Sequence, residues 1–87
     1  SLDRLSPIPI SEQLRAQLRL LVVTGRLRPG AALPTIKQLA AKLEVTPNTV
    51  SEVYGSLESE GYLSGHKRGG TRVAAQPPAL GPHEALA

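Results

Sequence analysis

At 87 residues with a 40 % apolar share, the chain has room for one small domain and no second core. It contains no Phe, Trp, Met or Cys, which excludes disulfides, thiolate metal sites and cysteine nucleophiles and leaves Leu, Val, Ile, Ala and two Tyr to build the interior. The formal net charge is +3 and the isoelectric point about 9.8, a range in which nucleic acid is a reasonable partner.

Residues 1–9 read as an irregular lead-in. From Pro9 to Gly25, apolar Ile10, Leu14, Leu18, Leu21 and Val22 fall on one helical face. Ser11 is placed to cap its start and Gly25 to end it, so a first helix is expected over about 11–24. Arg26-Leu27-Arg28-Pro29-Gly30 reads as a type II turn, because Pro presets φ and Gly supplies the positive φ such a turn requires. Thr35 followed three residues later by Gln38 is a capping box, predicting a short second helix over about 35–43 that buries Ile36, Leu39, Ala40 and Leu43. Glu44-Val45 breaks the pattern. Thr46-Pro47 then combines an N-cap hydroxyl with a proline at the first helical position, where its missing N–H is harmless. Val50, Val53, Tyr54 and Leu57 form the next apolar face and Gly61 stops it, giving a third helix over about 47–60.

Two helices meeting across so short a turn have the spacing of a helix-turn-helix. Beyond them, Tyr62–His66 and Thr71–Ala74 are short extended runs flanking Lys67-Arg68-Gly69-Gly70, a basic glycine turn, so a β-hairpin with cations at its tip follows directly. The expected fold is therefore mainly α with a small β-hairpin: a winged helix-turn-helix of three helices plus a wing. It occupies residues 1–75. The proline-bearing stretch 76–87 reads as a linker or the start of an effector or oligomerisation domain. A start at Ser1 in place of Met leads us to expect a domain excised from a longer protein, or a processed chain.

Charge is segregated along this framework. The segment 46–65 has no Lys or Arg and three acids, Glu52, Glu58 and Glu60, whereas 66–73 carries Lys67, Arg68 and Arg72 without an acid. No apolar run reaches the roughly 18 residues that cross a bilayer, and SLDRLSPIP lacks the apolar region of a signal peptide, so no membrane association is expected and the setting is read as cytoplasmic, associated with the nucleoid. His66 and His83 have no second ligand at metal spacing, and with Asp3 the only Asp, a Ser-His-Asp arrangement has no support. Neither an enzyme nor a metal site is expected.

Taken in order, Pro9-Ile10, Gly25-Arg26-Leu27-Arg28-Pro29-Gly30, LPTIKQLAAKL, VTPNTVSEVYGSLESEGYL and GGTRVA resemble the signature of the GntR family of bacterial transcription regulators over about residues 8–74. Pro47-Asn48-Thr49-Val50 and Tyr54 look most like its YtrA and MocR branches. The resemblance implies a repressor or activator that binds a double-stranded DNA operator with two-fold-related half-sites, as a homodimer in the full-length protein. Its third helix would enter the major groove and its wing would reach the minor groove. Family DNA contacts carry over onto Lys37, onto Thr46, Asn48 and Thr49 at the start of the third helix, and onto Gly69 and Gly70 in the wing; Pro47 and Ser51 in the same first turns and the wing cations Lys67, Arg68 and Arg72 complete the candidate DNA-binding set. A small-molecule effector, or pyridoxal phosphate in a MocR-like protein, would bind a further domain; no cofactor is expected in these residues.

Physical chemistry supports the same residues independently. Helix N-termini offer free N–H groups and a positive dipole end to phosphates. An Asn amide fits adenine N6 and N7, and a Thr methyl suits a thymine methyl. Wing glycines permit close approach to the sugar-phosphate wall, and the wing cations supply a salt-sensitive attraction. Each also has a purely structural reading: Thr46 as a cap alone, Asn48 and Lys37 as solvated surface, the wing cations as ordinary hairpin charges. Arg15, Arg19, Arg26 and Arg28 are read as solvated or as intramolecular partners, and Tyr54 and Tyr62 as core. A different class of function, a winged helix that docks protein through Glu52, Glu58 and Glu60, stands as the alternative.

Three departures from the family pattern carry expectations. Many members place Arg where Pro47 and Ser51 stand here, so base contacts from the third helix would be polar and neutral. The wing reads Arg68-Gly69-Gly70-Thr71 instead of Gly-x-Gly-Thr, which predicts a turn register shifted by one. Glu44 stands where Gly is common, and a positive φ there costs on the order of 1 kcal/mol.

Overall fold

The structure, a computed structural model, describes residues 2–66 and 70–78. Three helices run in chain order, α1 (Ile10–Val23), α2 (Ile36–Leu43) and α3 (Pro47–Ser59), followed by two strands, β1 (Leu63–His66) and β2 (Gly70–Val73). Each helix is where the periodicity of its apolar residues places it.

The start of α1 differs from expectation. Pro9, not Ser11, is the N-cap, and no side chain caps this end. The proline holds φ at −56° and its carbonyl accepts the Gln13 amide at 3.1 Å, so the cap lies two residues earlier than the Ser11 hydroxyl implied and Ser11 is drawn inside the helix. At the other end Thr24 is the C-cap, its Oγ1 donating to the Leu20 carbonyl at 2.7 Å, and Gly25 follows at φ 81°.

The turn after α1 forms as the Pro-Gly pair demands. Ala31 N–H donates to the Arg28 carbonyl at 2.9 Å across Pro29 and Gly30, with Gly30 at φ 83°. Both halves of the α2 capping box are present: the Gln38 amide donates to Thr35 Oγ1 at 3.0 Å, and Thr35 N–H donates to Gln38 Oε1 at 2.9 Å. At α3, Thr46 Oγ1 accepts the Thr49 amide at 3.3 Å, with Pro47 in the first turn. Between these helices Glu44 adopts φ 57° and ψ 45°, the left-handed conformation anticipated for it.

The hairpin pairs antiparallel in the register Leu63↔Val73, Ser64↔Arg72, Gly65↔Thr71 and His66↔Gly70. Both strands lie one residue off the expected bounds, since Tyr62 precedes the first and the second opens on Gly70. Gly70 is thus a strand residue at φ 70°, not part of the turn. A further pairing had no signal in the sequence. Ala31–Leu33 lies antiparallel along the outer edge of β2, through Val73 N–H to the Ala31 carbonyl (2.8 Å), Leu33 N–H to the Thr71 carbonyl (2.9 Å) and Gly30 N–H to the Val73 carbonyl (2.9 Å).

The core joins Leu14, Leu18 and Val22 of α1, Leu39 and Ala40 of α2, Val50, Val53, Tyr54 and Leu57 of α3, and Leu63 and Val73 of the hairpin. α3 is its hub, packing against α1, α2 and β1, and Val50 and Leu57 are fully enclosed. Burying each such side chain stabilises the fold by roughly 1.5–3 kcal/mol. Ile36 and Leu43, expected inside, are partly buried against the cluster, as is Tyr62.

Candidate nucleic-acid interface

The residues singled out for DNA contact gather at the N-termini of two successive helices. Lys37 is the second residue of α2, while Thr46 caps α3 and Pro47, Asn48, Thr49 and Ser51 occupy its first turns. Lys37, Thr46, Pro47, Asn48 and Ser51 are exposed; Thr49 is half-buried. This division follows from the helix itself. Val50, Val53, Tyr54 and Leu57 take the inward face of α3, which leaves Asn48 and Ser51 outward.

Partnering separates the set further. Among the described residues, the side chains of Lys37, Asn48 and Ser51 make no hydrogen bond or ion pair within the fold. The hydroxyls of Thr46 and Thr49 are 2.9 Å apart and share a hydrogen bond. Thr46 therefore both caps α3 and orients Thr49, yet a hydroxyl has two lone pairs and one proton, so two bonds at Thr46 and one at Thr49 leave each group capacity for a further partner.

On the wing, Gly70 and Arg72 are exposed on β2. Arg72 Nη1 donates to the Gly30 carbonyl at 3.2 Å, tying the hairpin to the turn after α1, and this guanidinium has further N–H donors left to offer. Lys67, Arg68 and Gly69 lie outside the described residues.

The phenol of Tyr54 ties the middle of α3 to the start of α2. Its hydroxyl donates to the Pro34 carbonyl at 2.8 Å, immediately before the α2 cap. Burial pushes this phenol up from an ordinary 10.0 to about 12, so it stays protonated and able to donate through the neutral range. The sequence marked Tyr54 as core but gave no sign of this bond, whose acceptor is a backbone oxygen 20 residues away.

Much of the acidic face is used within the domain. Glu60 Oε2 receives Arg15 Nη1 at 3.1 Å, and Arg15 also reaches Glu12 at 3.0 Å, the intramolecular role expected of that arginine. The Glu58 carboxylate lies against β1, where a Cβ added at Gly65 would stand 2.9 Å from Glu58 Oε1. Among the described residues no group of His, Asp and Glu could hold a metal ion, and no helix is long and apolar enough to cross a membrane.

The sequence profile of the bacterial regulatory proteins, gntR family, matches residues 10–73, from the first residue of α1 to the last of β2. The chain belongs to the GntR family. Among curated relatives, this GntR chain is 37 % identical over 73 residues to the transcriptional repressor YtrA of Bacillus subtilis, covering 84 % of the chain and 56 % of YtrA. It is 39 % identical over 77 residues to the regulatory protein MocR of Rhizobium meliloti, covering 88 % of the chain and 16 % of MocR. Among solved structures, the DNA-binding domain of AraR in complex with operator ORR3 superposes with a TM-score of 0.73 at 27 % identity, over 85 % of this chain and 89 % of that one. The chain thus spans about half of YtrA and about a sixth of MocR. The GntR winged helix-turn-helix is the architecture described above, three helices and an antiparallel hairpin.

Proposed function

We propose that this GntR domain is the operator-reading head of a bacterial transcription regulator, binding double-stranded DNA in a sequence-specific manner. The observation that carries this reading is the set of exposed polar side chains at the N-termini of two successive helices, Lys37, Asn48 and Ser51, that have no partner among the described residues. Solvated polar groups on a surface that the core holds rigid bind DNA without first breaking internal bonds. The likeness to an AraR DNA-binding domain solved in complex with an operator supports a DNA-binding role for this fold.

In this reading α3 lies in the major groove. Asn48 pairs bidentately with an adenine edge, Thr49 meets a thymine methyl or a phosphate, and Ser51 adds a neutral polar contact. Pro47 and Thr46 present the N-terminal end of α3 to a phosphate, and Lys37 neutralises another. The wing, with Lys67, Arg68, Gly69, Gly70 and Arg72, follows the minor-groove wall. Residues 76–87 lead to an effector domain. That domain would carry the small-molecule site, or a pyridoxal phosphate site in a MocR-like protein, and most of the homodimer contact. The reading head itself needs no cofactor, performs no catalysis and works in the cytoplasm.

The test is a fluorescence-anisotropy titration against a duplex from the protein's own promoter region and a scrambled duplex, at two salt concentrations, for the wild type and a Lys67→Ala/Arg68→Ala variant. Preferential, salt-sensitive binding that weakens in the variant is the expected result. Equal binding of both duplexes, or indifference to the two wing cations, would count against it and favour the protein-docking alternative.

A further inference from the structure

Residues 2–9, irregular as expected, are fastened to the rest of the fold. Leu2 packs against the core, and Asp3 and Gln13 hold each other through Asp3 N–H to Gln13 Oε1 (2.6 Å) and Gln13 Nε2 to the Asp3 carbonyl (2.8 Å). Gln13 Nε2 also reaches the Ile8 carbonyl at 2.8 Å. The strap thus formed delivers Arg4, whose Nη2 donates to the carbonyls of Leu43 at 3.2 Å and Glu44 at 2.6 Å. These oxygens lie at the C-terminus of α2, where helix carbonyls lack internal partners and the dipole is negative, so a guanidinium suits them.

The place is informative. Glu44 is the only non-glycine residue with positive φ among the described residues, and it forms the turn that aims α3. The end of α3 closes in the same way: Tyr62 N–H donates to the Leu57 carbonyl at 2.9 Å across Gly61, at φ 89°. At the end of α2, Val45 N–H donates to the Ala40 carbonyl at 3.0 Å, but across a glutamate. Glycine adopts this conformation freely whereas glutamate is strained in it. Arg15 reaches the α3 end through the Glu60 side chain, whereas at the α2 closure Arg4 binds the terminal carbonyls themselves.

The structure assigns Arg4 as a positioning residue, outside the family-matched segment 10–73, that holds the strained Glu44 turn and through it the angle of α3 to α2. Its consequence for DNA rests on the operator-reading proposal; the clamp itself does not.

Arg4→Ala, Arg4→Lys, Glu44→Gly and the Arg4→Ala/Glu44→Gly pair test it by two readouts. The first, amide hydrogen exchange at Val45 in the free protein, needs no DNA. Arg4→Ala is expected to speed it about fivefold, Arg4→Lys to restore most of the protection, and Glu44→Gly to make loss of Arg4 nearly silent, because the strain is gone. The second readout is affinity for the promoter-region duplex, expected to fall about fivefold in Arg4→Ala with an unchanged salt slope, and to be spared in the Glu44→Gly background. Unchanged Val45 exchange overturns the clamp. Faster exchange with full affinity overturns its part in aiming α3, and a salt slope lowered by about one makes Arg4 a phosphate contact instead. If the wild type binds no duplex, the operator-reading proposal falls while exchange still decides the clamp.

Discussion

Single atoms decide how firmly α3 is joined to the start of α2. The Tyr54 hydroxyl and the Pro34 carbonyl, 2.8 Å apart, lock α3 to the residue that precedes the α2 cap. A neutral hydrogen bond of this kind contributes about 1 kcal/mol, so Tyr54→Phe should lower stability by roughly that amount at neutral pH. Its pH dependence follows from the raised pKa, from 10.0 to about 12 through burial. A group whose folded pKa is raised lends stability that is fully present below the unfolded value and is lost as pH climbs through the folded one. The wild type should therefore lose its advantage over Tyr54→Phe between about pH 10 and 12, followed by urea midpoints at each pH. An advantage constant across that window would show that Tyr54 is not held protonated by its burial. None of this was legible from residue spacing, which marks a tyrosine as inward but not the backbone oxygen it meets.

At the level of elements, what was legible is what is local. The capping box of Thr35 and Gln38, the Thr46-Pro47 helix start, the Pro29-Gly30 turn and the left-handed Glu44 are each set by residues within a few positions of one another, and all are present. The missed features join distant segments: Ala31–Leu33 along β2, Arg72 on Gly30, and Arg4 on the end of α2. Pattern reading has no access to these, because a backbone carbonyl looks alike at every position. The Ser11 cap failed for a local reason, since Pro9 was itself able to begin the helix. The site residues follow the same divide. The helix N-terminal set is where its caps place it, whereas Arg72, read from the sequence as a phosphate ligand, also fastens the hairpin to the turn after α1. Both roles can operate together, because the Gly30 carbonyl engages only one of its terminal nitrogens. Arg72→Ala should then lower DNA affinity and reduce the salt slope by about one. Loss of affinity with an unaltered slope would mean that Arg72 only places the wing.

For the molecule as a whole, the proposed function separates reading from assembly. α3 has its inward face against α1, α2 and β1, so the core fixes the outward face that the proposal assigns to reading. Among the described residues, the large apolar side chains that remain exposed, Leu5, Ile8 and Leu20, are spread over the lead-in and α1 and do not make a stripe of the kind that pairs helices. The chain also spans only about half of YtrA, and under the proposed function most of the dimer contact belongs to the remainder of such a protein. Two reading heads on one operator would then be coupled chiefly by the domain that joins them, through effective concentration and not through contact between the heads. By itself, this chain should sediment as a monomer or weak dimer at micromolar concentration. It should also occupy the two halves of a two-fold-related operator nearly independently, with a Hill coefficient near one, and joining two copies through a dimeric carrier should raise affinity by about 10²-fold or more without altering which half-site is preferred. A tight dimer in sedimentation, or steep binding to the two-half-site duplex by the unlinked chain, would place a dimer surface on the reading head itself, and the exposed Leu5, Ile8 and Leu20 would be the first residues to change in locating it.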